Sequence, residues 1–260
     1  MTKQIGILAS VTAVFVSVTL LCACGGGSAV NAPMLPPGGS SPSPSPIPSP
    51  SPTISASNQV LNASQGGVTG VPDMFSPTSG DTASGGSGAA VDGITCDTTM
   101  SDNYHIHIYL GIYVNGTHYA LPIAIGMVNP GAPVNGFINS AQCFYHFHTH
   151  DSSGIVHVED TDPSGAPRTA SLFTLKNVLD VWGITVDGSH VGQFSGPVVV
   201  MTSGQVYRGD QNNGLVPSST YTFYGGDPNQ IPLYSHEVIW LLVGPTYPSS
   251  LDSVNFYTEF

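Results

Sequence analysis

Apolar and polar residues alternate most regularly over residues 104–115, where Ile106, Ile108, Leu110, Ile112 and Val114 fall on one parity and His105, His107, Tyr109 and Tyr113 on the other. A period of two places these sets on opposite faces of an extended chain, so the segment is expected to form a strand with one face in a core. Asn115-Gly116 follows, a pair that suits the left-handed residues of a two-residue hairpin turn, and residues 117–127 can return as the partner strand. A second hairpin is expected over residues 143–160, turning at Asp151-Ser152-Ser153-Gly154. Leu175, Val178, Leu179 and Trp182 then recur at helical spacing, with Thr174 as N-cap and Gly183 as the stop. Residues 197–202 and 205–208 read as strands about Ser203-Gly204, and 238–244 as a buried final strand.

These elements predict an α+β fold: antiparallel β-hairpins with one helix, followed by strands. From Cys143 onward the order hairpin, helix, strand pair, last strand is similar to a β-grasp unit. A β-sandwich with a crossover helix is the alternative.

The first ninety residues carry no such pattern. An apolar run over residues 5–21 has Lys3 as its only preceding charge and ends Leu21-Cys22-Ala23-Cys24-Gly25. It resembles the lipobox of bacterial lipoproteins, which predicts a signal peptide over residues 1–23 and lipidation of Cys24. Ordinary secretion with cleavage near Ala23 is the alternative. No aspartate follows Cys24, so the expected location is the cell envelope, lipid-anchored, and the outer membrane if the cell is Gram-negative. Residues 24–90 read as a disordered tether: 33–52 alternate Ser with Pro, and Gly, Ser, Thr and Asn dominate after them. The globular domain is expected over residues 91–260.

Charge narrows the partners. The whole chain has 4 Lys and Arg against 16 Asp and Glu, with a formal charge of −12. A nucleic-acid partner needs a basic footprint that releases counterions from phosphates, and none is present. The expected partners are therefore a metal ion and, through the N-terminal lipid, a membrane; no protein partner is indicated. After processing, Cys96 and Cys143 remain. In an oxidising compartment they are expected to form a disulfide, the competing reading being two metal thiolates.

The candidate chemistry lies in the histidines. Over residues 143–159 the chain reads CFYHFHTHDSSGIVHVE. In a strand His146, His148 and His150 share one face, and Cys143, Tyr145 and Phe147 the other. An even-numbered turn sets His148 across from His157 and His146 across from Glu159, close enough for two imidazoles to reach one ion, whereas a three-residue turn puts them on opposite faces. His105 and His107 add two imidazoles on one face of the earlier strand. Neutral imidazoles with a carboxylate suit Zn, Cu, Ni or Fe, and Ca or Mg would want oxygens. The competing reading is a polar or pH-sensitive surface in a chain short of Lys and Arg. His118 and His190 are expected in solvent. His236-Glu237 opens the last expected strand, whose N-terminal edge can bring it to the site; a capping or surface role is the alternative. Asp151 either orients His150 or closes an Asx turn, and Tyr109 and Tyr113 are candidates to line a pocket.

The series YHIHIYLGIYVNG, LPIAIGM, CFYHFHTHDSSGIVHVE, FTLKNVLDVWG and PLYSHEVIWLLVG resembles a group of exported bacterial and archaeal proteins to which no activity is attached. The resemblance implies that His105, His107, His148, His150, His157 and Glu159 belong to a common pattern, and that His146 stands outside it. The expectation is a cell-surface lipoprotein that binds copper or zinc through these six residues. The alternatives are a metal-dependent enzyme of hydrolase type, with Glu159 or Glu237 as general base, and a non-catalytic envelope assembly or binding module.

Overall fold

The computed structural model describes residues 53–72, 74–76, 86–100, 104–160, 173–205 and 213–257. The signal peptide, Cys24 and the Ser/Pro part of the tether lie outside the described residues. Before the helix come β1 (Ser55–Ala63), β2 (Tyr104–Val114), β3 (Thr117–Tyr119), β4 (Met127–Val128), β5 (Cys143–Phe144), β6 (Phe147–His148) and β7 (Ile155–Asp160). The helix α1 (Leu175–Trp182) precedes β8 (His190–Val191), β9 (Phe194–Ser195), β10 (Val198–Thr202), β11 (Asn213–Val216), β12 (Thr222–Phe223), β13 (Val238–Val243) and β14 (Ser250–Tyr257).

The alternation in β2 organises the molecule. Its Ile108, Leu110, Ile112 and Val114 join Leu175, Val178, Leu179 and Trp182 of α1 in the larger core. Its Tyr109 faces the other way, into a second core with Trp240, Leu251, Val254 and Phe256. The main sheet runs β12-β10-β13-β2-β7-β6, and β1-β14-β11 form a three-stranded sheet whose side chains fill that second core. Because both faces of β13 are covered, it reads as a continuous apolar run and all six residues are buried. β2 and β13 pair in parallel with Gly111 opposite Trp240, and a Cβ on Gly111 would stand 2.3 Å from the indole ring. The described residues are thus mostly β with one α-helix, in open mixed sheets without a barrel, as an α+β or sandwich-like reading requires.

The local signals act as expected. Asn115 and Gly116 both take positive φ (51° and 81°) and join β2 to β3. The partner strand stops at Tyr119, well short of Met127, since Pro122 has no N–H for a ladder. Thr174 caps α1 with Asn177 in a capping box, the Thr174 N–H donating to Asn177 Oδ1 at 3.0 Å, and Gly183 ends the helix in the left-handed region at φ 87°.

Four expectations need correction. Ordered structure begins before Val91: residues 55–63, assigned to the tether, form β1, whose backbone partners come from β14 nearly two hundred residues away. The strand β13 is not the last, because β14 follows it. The partners of β10 are β12 and β13, with no pairing to Gln205, and residues 206–208 lie outside the described residues. The order from Cys143 onward does not build a β-grasp sheet by itself, because β2 stands between β7 and β13.

Candidate metal centre

Three adjacent strands bring the histidines together. β2 and β7 are antiparallel with His105 opposite Glu159 and His107 opposite His157, while β6 and β7 pair His148 with His157. His107, His157 and His148 therefore form a row across the sheet with His157 in the middle. Facing residues of such a ladder have Cβ atoms about 4.5–5.5 Å apart, so their rings must meet. The His148–His157 register is the one expected for an even turn, although the loop between the paired residues is wider than a tight turn.

Donor atoms converge at ligand-set distances. His157 Nδ1 lies 3.1 Å from His105 Nε2 and 3.3 Å from His107 Nε2. His148 Nε2 lies 3.2 Å from His150 Nε2. Glu159 Oε1 sits between the groups, 3.4 Å from His105 Nε2, 3.6 Å from His148 Nε2 and 3.7 Å from His157 Nδ1. Two triads result, His105/His107/His157 and His148/His150/His157, each with its donor atoms within 4.8 Å of one another. Tetrahedral ligands at the usual zinc–nitrogen distance are separated by about 3.3 Å, so these spacings fit a transition ion.

Protonation argues in the same direction. His148 Nδ1 donates to the Tyr145 carbonyl at 3.0 Å, and His150 Nδ1 to the Ile138 carbonyl at 2.5 Å. A carbonyl only accepts, so in each neutral ring the proton is on Nδ1 and Nε2 is bare. Two bare Nε2 lone pairs then face each other at 3.2 Å, an arrangement that a cation between them resolves. Burial, with His150 beside it, holds His148 at about 3. Burial first and neighbouring imidazoles second hold His107 and His157 well below the usual histidine range. His150 is lowered by burial, partly offset by the Ile138 carbonyl. The rings are therefore neutral near pH 7, the form that ligates metals.

Other expected residues sit elsewhere. His146 falls in the break between β5 and β6, where strand alternation is lost. Its backbone still pairs with Glu159, but its ring turns to Asp97 Oδ2 at 3.5 Å and Asp160 Oδ1 at 4.0 Å. Asp151 closes an Asx turn onto Ser153 N (2.9 Å) and accepts from Gly66 N (2.7 Å). Tyr109 is buried in the second core, against Trp240. His190 is exposed beside Asp187, as expected. His118 is not in solvent: it stacks on Tyr113 at 4.9 Å and abuts Trp240, and burial lowers it to about 4.

His236 donates its backbone N–H to the His107 carbonyl and packs its ring on Phe256, outside both triads. Glu237 accepts from Thr202 Oγ1 at 2.5 Å and from Tyr234 N at 3.1 Å. Burial raises its carboxyl to about 7. Because this value lies above the unfolded one of 4.5, the stabilising contribution of the neutral form is fully present below about pH 4.5 and is lost as pH rises through about 7. In Glu237→Gln the amide does not titrate, its oxygen accepting from Tyr234 N and its NH2 donating to the Thr202 hydroxyl oxygen. Wild type is expected to weaken relative to this variant between pH 5 and pH 8, by up to about 3 kcal/mol in urea denaturation. An unchanged gap between the two proteins across that range would show a carboxyl charged throughout.

No family model, curated protein or solved structure matches this chain. The chemistry of the site rests on its own atoms. Sequence reasoning missed the residues that frame it: an open bowl of about 220 Å3 has His105, His150, His157 and Glu159 in its lining. Gln65, Met100, Phe137 and Asn139 are the other described residues of the lining, and Phe137 stacks flat on His150 at 4.5 Å. Gln65 carried no signal because it follows a strand without a local pattern of its own.

Proposed function

We propose that this chain is an exported lipoprotein, held at the cell envelope by a lipid on Cys24, whose folded part binds one transition-metal ion, copper or zinc, for capture, buffering or transfer. The observation that carries the reading is the pair of bare Nε2 atoms of His148 and His150, each tautomer set by a backbone carbonyl, 3.2 Å apart in a buried place. His105, His107, His157 and Glu159 are the further donors from which the ion draws its remaining ligands. Imidazole nitrogen with one carboxylate suits copper and zinc and is poor in the oxygen that calcium and magnesium require. His157 belongs to both triads and Glu159 stands between them, which favours a single ion. The acidic chain, without a basic footprint, supports a partner other than nucleic acid.

Protein purified without a histidine tag, loaded anaerobically with copper or with zinc and desalted, is expected to retain about one ion per chain, because the sheet assembles the ligands beforehand. Retention well below one with both metals would remove the reading.

The bowl above the donors favours a second reading, a metal-dependent enzyme, because it gives small molecules access to the ligand set. Glu237 has no part in it, both of its carboxyl oxygens being engaged by Thr202 and Tyr234.

A further inference from the structure

Two loops stand over the histidines, and each is fastened to the hairpin that carries His148 and His150. Residues 64–67 are held by the Gly66 N–H on Asp151 Oδ2. Residues 134–138 are held by the Ile138 N–H on the His150 carbonyl, and they close on themselves through paired backbone bonds between Val134 and Phe137. The loops also meet each other glycine to glycine. Gly66 has φ +70°, and a Cβ there would stand 2.2 Å from the Asn135 carbonyl oxygen; Gly136 has φ +81°, and its Cβ would stand 2.6 Å from the Gly66 carbonyl oxygen. Backbones this close leave no room for any side chain, so the contact fixes where Gln65 and Asn139 lie.

The lining is of two kinds. Gln65 and Asn139 contribute carboxamides, able to donate as well as accept, while Phe137 and Met100 contribute apolar surface. Among the described residues the lining has one carboxylate, Glu159, a donor of the metal set. A divalent ion among neutral imidazoles and that one carboxylate keeps a net positive charge. An incoming ligand is therefore favoured if it is an anion, small enough for about 220 Å3, with oxygens for the amide N–H groups.

We propose that an ion in this centre keeps one coordination position turned to the bowl and takes there a small exchangeable carboxylate, positioned by the Gln65 and Asn139 amides against Phe137 and Met100. This rests on the metal reading above, and it makes the site one that presents its ion to a free small molecule instead of sealing it in.

The test uses cobalt(II) as the loaded ion and acetate as the probe, on the full chain without a histidine tag. Cobalt in a nitrogen and oxygen site absorbs in the visible, and a new oxygen ligand changes that band. Acetate is expected to shift the spectrum saturably at one site per cobalt. Gln65→Ala and Asn139→Ala are each expected to weaken acetate by about three- to tenfold, the worth of one ordinary net hydrogen bond, with cobalt content unchanged. Cobalt held at one per chain with no spectral response to acetate would overturn the inference and leave the metal reading standing. A response of equal affinity in wild type and both variants would overturn the role of the loops. Failure to hold cobalt, copper or zinc would remove the metal reading, and this inference with it.

Discussion

Alanine at His157 is expected to cost more metal affinity than alanine at any other histidine. It is the middle residue of the row across β2, β7 and β6, it faces His107 on one side and His148 on the other, and it belongs to both donor triads. Losing it breaks each triad at once, so the drop should exceed the roughly 10- to 100-fold seen even when only a group supporting a ligand is removed. His148→Ala removes one of the two bare Nε2 atoms and should fall within or above that range. His190→Ala removes an exposed ring and should leave affinity unchanged. His118→Ala should also leave it unchanged, while lowering stability, because that ring packs on Tyr113 and Trp240. Competitive titration with a chelator of known affinity measures all four, and circular dichroism reports whether each variant folds. Should His157→Ala itself fail to fold, His157→Gln keeps a polar side chain of similar reach while withdrawing the imidazole. Equal small losses at every position would mean diffuse binding, and the centre would not exist as a site.

The pairing that makes His157 central was legible because it depends on parity alone. The expected turn was tight and the actual loop is wider, yet the pairing of His148 with His157 is the same, since any even number of looped residues keeps the facing pairs on one face. The alternation in β2 and the Asn-Gly turn were legible for a similar reason, each being written in consecutive residues. What escaped is written across distance. β1 takes its backbone partners from β14, and nothing in Ser55–Ala63 records that ladder. The carbonyls of Tyr145 and Ile138, which set the tautomers of His148 and His150, are backbone atoms and carry no residue signature. His118 was read as solvated because it follows a turn, but the second core folds over the same face and encloses it with Trp240. His146 was read by alternation across Tyr145, where the strand is interrupted and the rule no longer applies.

The disulfide gives the other large effect. Cys96 is bonded to Cys143, with Cα atoms 5.4 Å apart and a sequence separation of 47. Closing a loop of that length removes denatured-state entropy worth about 4 kcal/mol in the chain-entropy account. That is a large part of the roughly 5–15 kcal/mol that holds a typical domain together. The bond is reinforced next door, where the Asp97 and Phe144 backbones exchange hydrogen bonds at 2.8 and 2.7 Å. It ties the segment that carries Met100, at the bowl, to the strand that leads into His148. Replacing both cysteines with alanine should therefore lower the urea midpoint steeply. It should not abolish stoichiometric metal binding at low denaturant, because the ladders that face His105 with Glu159, His107 with His157 and His148 with His157 remain. Stability and metal content measured on the same samples separate the alternatives. If the double variant kept its midpoint but lost its ion, and both thiols were free in protein taken from the cell, Cys143 would be a ligand and the centre would have to be redrawn around a thiolate.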